Sequence, residues 1–210
     1  MWWSALVAAL VLAAPGPSVA GPKIVFLGDS LTEGYEVDAK SAFPALVAER
    51  LRTRGWPEIE VVNAGVSGST SASAVSRLRW QLRGKPDLVV LALGANDGLR
   101  GIDTQTTKKH LAEAIDVARG EEVVVLLAGM KMPPNYGGDY TQAFESLFSE
   151  LAAEKGVALI PFLLDGVAAR TELNLPDGIH PNADGYSVIA DTVITHLLPL
   201  LQTLGEQEGG

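Results

Sequence analysis

The 210-residue chain predicts one α/β domain, folded as a three-layer α/β/α sandwich around a parallel sheet. Two observations carry that expectation. Short aliphatic runs alternate with longer amphipathic ones from Gly21 onward. Most of the short runs are continuously apolar, as suits parallel strands covered on both faces. Five strand-then-helix units in succession then imply right-handed crossovers.

In chain order, the strands are expected at Lys23–Leu27, Ile59–Asn63, Leu88–Leu93, Val123–Ala128 and Ala158–Ile160. The helices are expected near Ala42–Arg54, Thr70–Arg83, Thr106–Arg119, Tyr140–Lys155 and Ala183–Leu198. In the second helix Ala72, Val75, Leu78 and Leu82 recur at three- and four-residue steps, with Arg77, Arg79 and Arg83 elsewhere on the wheel. In the last, Tyr186, Ile189, Val193, Leu197 and Leu201 make a similar stripe. Pro199 lacks a backbone N–H, which places that helix end near Leu198 and leaves residues 205–210 as a frayed polar tail.

Trp2 to Ala14 is apolar but shorter than the roughly 20 residues a membrane-spanning helix needs. Pro15-Gly16-Pro17 breaks it, and Ser18-Val19-Ala20 offers small residues before a cut, so residues 1–20 are expected to be a secretory signal peptide. An uncleaved anchor is the alternative, since the segment carries no Lys or Arg. The formal net charge of -9 disfavours binding to a phosphate backbone, so nucleic acid is not expected as a partner. With no cysteine, the chain has no disulfide, thiolate metal site or cysteine nucleophile.

Ligands of open α/β sheets gather outside the carboxyl ends of the strands. There Ser30 follows the first strand, Gly65–Gly68 the second, and Gly94-Ala95-Asn96-Asp97 the third. Ser30 in Gly28-Asp29-Ser30-Leu31 is either a nucleophile or a helix N-cap. Thr32 stands where the Gly-x-Ser-x-Gly elbow has its final glycine, so the segment is not that motif. His180 lies between Gly178 and Pro181, with Asp177 close enough in sequence to hold its ring. The competing reading is an Asp-Gly turn with an incidental histidine. Of the other histidines, His110 is expected to be solvated and His196 structural. For an oxyanion, the candidate donors are the Ser30 N–H, the Gly68 N–H and the Asn96 side-chain amide.

These residues together resemble the SGNH (GDSL-type) hydrolases, whose four blocks centre on Ser, Gly, Asn and His: here Ser30, Gly68, Asn96 and His180. Leu93–Gly101 and Met132–Gly137 are similar to segments of exported bacterial esterases of that family, a group of thioesterases, lysophospholipases and arylesterases. The resemblance implies a flavodoxin-like sheet of five parallel strands in a hydrolase domain over residues 21–204. It also implies a triad of Ser30, Asp177 and His180, an oxyanion hole of Ser30, Gly68 and Asn96, no metal and no organic cofactor. The expected substrate is a small acyl ester or thioester, cleaved through an acyl-enzyme by an exported, monomeric chain without stable membrane insertion. The loop Gly129–Asp139, through Met132, Pro134 and Tyr136, is expected to cover an acyl chain or else to be a plain surface connection. A carbohydrate O-acetylesterase and a non-catalytic anion-binding protein remain as alternatives.

Overall fold

The computed structural model describes residues 21–208. The leader expected at residues 1–20 and the last two residues of the chain lie outside them.

Five parallel strands form one sheet in the order β2-β1-β3-β4-β5. They are β1 (Lys23–Gly28), β2 (Glu60–Gly65), β3 (Leu88–Ala92), β4 (Val124–Ala128) and β5 (Ala158–Ile160). The order in which the chain adds strands across the sheet reverses between β1 and β3, and the crevice at that switch point opens beyond the end of β1, where Ser30 lies. The continuous apolar runs have the cause expected of them: every residue of β3 is buried, as are five of the six in β1.

Among the described residues seven α-helices follow the strands: α1 (Ser30–Glu33), α2 (Phe43–Thr53), α3 (Ala74–Leu82), α4 (Ala95–Leu99), α5 (Thr104–Gly120), α6 (Gly138–Lys155) and α7 (Ala183–Glu208). The short α1 and α4 were not expected, because four- and five-residue helices are too brief to show a hydrophobic period. Both lie at the carboxyl edge of the sheet and carry Ser30 and Asn96.

The end of α7 differs from expectation. The helix runs through Pro199 to Glu208, so residues 205–208 are helical rather than a frayed tail. Proline in a helix interior costs about 3 kcal/mol. Leu201 beyond it is fully buried and Leu204 packs against the core, which offsets much of that cost. Across the outer layer, the Arg50 guanidinium donates to the Ser187 carbonyl at 2.8 Å and its hydroxyl at 2.6 Å, and pairs with Asp191 at 2.8 Å. That clamp locks α2 to α7 and fixes the helix that follows the His180 loop.

Candidate active site

At the end of β1 the backbone turns into α1 so tightly that a side chain at position 28 would collide with Thr32, which restricts that position to glycine. Asp29, not Ser30, caps the helix: its carboxylate accepts the Leu31 N–H at 3.0 Å. Ser30 is therefore relieved of the capping role, and its half-buried hydroxyl is free for other partners.

The His180 ring meets that hydroxyl, with Nε2 2.9 Å from Ser30 Oγ. On the other side Nδ1 lies 2.6 Å from Asp177 Oδ2. The same carboxylate accepts the backbone N–H groups of Ile179 at 2.9 Å and His180 at 3.0 Å. Burial pushes the Asp177 carboxyl up, but these hydrogen bonds and the neighbouring imidazole outweigh it and hold the group at about 2. Asp177 is thus a carboxylate at any ordinary pH, and an ionised acceptor on Nδ1 leaves the proton there and the Nε2 lone pair toward Ser30. Tyr35, just beyond α1, packs against the imidazole at a tilt of 35°, with centroids 4.4 Å apart.

The loop from Gly65 to Ser71 runs over the top of α4. Gly68 adopts φ +75°, a conformation that favours glycine, and its carbonyl accepts the Arg100 guanidinium at 3.0 Å. Its N–H has no partner among the described residues, and neither has that of Ser30. The Asn96 amide donates to the Ser69 carbonyl at 3.1 Å and, more weakly, to Asp29 Oδ2 at 3.4 Å. Asp29 is 1% exposed, and burial pushes its carboxyl up to about 6 against the pull of the Leu31 N–H, His180 and Asn96.

The sequence reading missed the inward roles of four further residues, Arg77, His110, Ser71 and Asp97. Arg77 leaves the solvated side of α3 and donates from Nη2 to the carbonyls of Gly28 (2.9 Å) and Ala64, so it braces the ends of β1 and β2 from below. His110 is not solvated: it is half-buried, with Nδ1 3.1 Å from Ser71 Oγ. Ser71 in turn bonds Asp97, and both are 1% exposed. An apolar-periodicity argument cannot find a polar residue that turns inward to meet another polar residue.

The loop after β4 sits on α4. Met132 is half-buried against Gly98, the Tyr136 hydroxyl donates to the Leu99 carbonyl at 3.1 Å, and Pro134 is exposed. The Tyr140 hydroxyl adds a bond to the Ile102 carbonyl at 2.9 Å.

A doubly wound parallel sheet with a serine, histidine and carboxylate in hydrogen-bonded series at its switch point belongs to the class of α/β serine hydrolases. Residues 26–188 match the GDSL-like Lipase/Acylhydrolase family, and the chain belongs to that family and is a serine esterase. It is 39% identical to the Esterase TesA of Pseudomonas aeruginosa over 87% of this chain and 90% of that protein. It is 36% identical to the Thioesterase 1/protease 1/lysophospholipase L1 of Escherichia coli strain K12, over 88% of this chain and 87% of that one. A crystal structure of TesA superposes with TM-score 0.82 at 38% identity, covering 85% of this chain and 99% of that one.

Proposed function

We propose that Ser30 is the nucleophile of an acyl transfer to water, with His180 as general base and Asp177 as its orienting acid. The 2.9 Å contact between Ser30 Oγ and His180 Nε2, across 150 residues of sequence, carries this assignment. His180 takes the serine proton as Oγ attacks the carbonyl carbon, then gives it to the leaving alcohol or thiol. Water, activated by the same imidazole, releases the acyl group. Asp177 stabilises the imidazolium formed in each step.

The negative charge that develops on the carbonyl oxygen is received by the N–H groups of Ser30 and Gly68 and by the Asn96 amide. The Asn96 hydrogen facing Asp29 is the one available, since 3.4 Å lies beyond the usual N–H···O range of about 2.7–3.2 Å. Each such donor contributes on the order of 3 kcal/mol to the transition state.

The substrates are small acyl esters and thioesters: aryl esters, acyl-CoA and lysophospholipids. Support comes from the rim of the site, where Tyr35, Val66 and Ile179 are three of the four exposed large hydrophobic side chains among the described residues. Each lies within a few residues of a site group, and such an edge favours an acyl chain over a sugar ring. Met132, Pro134 and Tyr136 extend the cover on the α4 side. The enzyme works as a monomer without a cofactor, and the apolar segment before Gly21 directs it out of the cytoplasm.

A fluorophosphonate probe tests the nucleophile: the folded protein is labelled on Ser30, and Ser30→Ala is not labelled. Labelling that survives in Ser30→Ala removes the assignment. A panel of p-nitrophenyl esters from acetate to palmitate, beside acyl-CoA, lysophospholipid and acetylated sugars, tests the substrate. Preference for acetylated sugars over every acyl chain would favour a carbohydrate O-acetylesterase.

A further inference from the structure

We infer that Asp97, Ser71 and His110 form a positioning relay that holds two oxyanion donors, the Gly68 N–H and the Asn96 amide, in fixed relation to each other. This rests on the oxyanion roles proposed above for Gly68 and Asn96.

The relay is buried and directional. Asp97 Oδ2 accepts the Ser71 N–H at 2.8 Å, and Oδ1 accepts the Ser71 hydroxyl at 2.5 Å and that of Thr107 at 3.3 Å. Asp97 and Ser71 are 1% exposed and Thr107 is 0%. A serine hydroxyl has a single hydrogen, and here it goes to the carboxylate. His110 Nδ1, 3.1 Å from Ser71 Oγ, must then be the donor in that contact. Hydrogen bonds therefore run one way, from the imidazole of α5 through the hydroxyl to the carboxylate of α4.

The attachment is local to the donors. Asn96 grips the Ser69 carbonyl at 3.1 Å, and Arg100 grips that of Gly68 at 3.0 Å. Both of those bonds lie at or near the surface, where water competes. Only the paired bonds between Asp97 and Ser71 are shielded, and they tie the residue after Asn96 to a residue three beyond Gly68. Without them the loop and α4 can separate, and a donor displaced by about 1 Å costs on the order of 10²-fold in rate. None of the three side chains touches the reacting atoms, so each acts through Gly68 and Asn96.

The test uses the folded chain, p-nitrophenyl butyrate, and a reversible trifluoromethyl ketone carrying the same acyl chain. Asp97→Asn keeps the shape but cannot accept both Ser71 hydrogens. It is expected to lower kcat about 10²-fold, with KM within about threefold, and to weaken the ketone in step with kcat/KM. Ser71→Ala should behave alike, and the double variant should be no worse than the poorer single one. His110→Leu removes the donor and lowers kcat, whereas His110→Asn supplies an N–H and restores it. If Asp97→Asn does not fold, the Ser71 and His110 variants decide the matter alone.

Asn96→Ala separates the two levels. A large loss of kcat in Asn96→Ala, with Ser71→Ala and His110→Leu within about twofold of wild type, overturns the relay and leaves the oxyanion assignment standing. Wild-type kcat in Asn96→Ala removes that assignment and the relay with it.

Discussion

Replacing Asp29 by Asn should change the stability of the protein in a way that depends on pH, by an amount the structure allows to be worked out. Burial pushes this carboxyl from 3.8 up to about 6 in the folded chain. A folded value above the unfolded one means that, between those limits, the native protein keeps a proton the unfolded chain has released. The stability linked to that proton is complete below pH 3.8 and is lost as pH rises toward about 6. A shift of about two units, at about 1.4 kcal/mol per unit, makes the loss roughly 3 kcal/mol. Asp29→Asn cannot ionise and escapes it. The variant still caps α1 through its amide oxygen, but it turns an NH₂ group toward that of Asn96, which costs about 1–3 kcal/mol at every pH. Relative to wild type, the variant should therefore gain roughly 3 kcal/mol between pH 3.5 and pH 7.5. Urea denaturation of both proteins at those two pH values measures the difference. If the two offsets agree within about 0.5 kcal/mol, Asp29 does not titrate as its burial implies, and the reasoning fails. Activity should fall, since the new NH₂ group faces the Asn96 amide hydrogen proposed above as an oxyanion donor and pushes that amide aside.

Other outcomes follow from the same geometry. The depressed Asp177 value means that its contribution to stability is present above 3.8 and lost only as pH falls toward about 2, so Asp177→Asn should cost the same stability in urea denaturation at pH 5 as at pH 7, and a cost already smaller at pH 5 would contradict it. Truncating Met132 and Tyr136 to Ala frees α4 from the bond to Leu99 and should narrow the discrimination between short and long p-nitrophenyl esters. An unchanged chain-length profile would take the loop out of substrate recognition. Pro199→Ala should raise stability by about 1–2 kcal/mol in thermal or urea unfolding, the helix-interior cost of proline less its restriction of the unfolded chain. A loss of stability there would mean that the ring itself packs usefully.

The layered fold was legible because parallel strands buried on both faces leave continuous apolar runs. Leu88–Ala92 and Val124–Ala128 emerge within a residue or two of where their composition places them. As candidates, Ser30, Gly68, Asn96, Asp177 and His180 could be picked out because each follows a strand or stands in a short polar motif. Arg77, His110 and Pro199 were misread for one shared reason. Local rules assign charged and imidazole groups to solvent and proline to a helix end, whereas tertiary partners overrode those defaults. The carbonyl ends of two strands call Arg77 inward, Ser71 calls His110, and the buried Leu201 carries α7 past Pro199. No one-dimensional pattern contains those partners.

The two motif dipeptides, Asp29-Ser30 and Asn96-Asp97, have the same design with the order reversed. In each, a polar residue faces the site while its neighbour, an acid at 1% exposure, faces the fold. Successive helical residues are about 100° apart, so adjacent side chains at a helix start point in different directions. Each acid accepts a backbone N–H near the strand ends, Leu31 for Asp29 and Ser71 for Asp97, and each faces a further polar side chain, the Asn96 amide at 3.4 Å from Asp29 and the Ser71 hydroxyl bonded to Asp97. A buried carboxylate is costly, and an apolar residue of similar size would often serve stability better. Here the apolar replacement would also strand two buried N–H groups and, at Asp97, release the Gly68 loop from α4. The acids are thus best explained as the parts that make the neighbouring polar groups rigid, and rigidity is what an oxyanion site requires, because a donor that must reorganise during the reaction stabilises the transition state less.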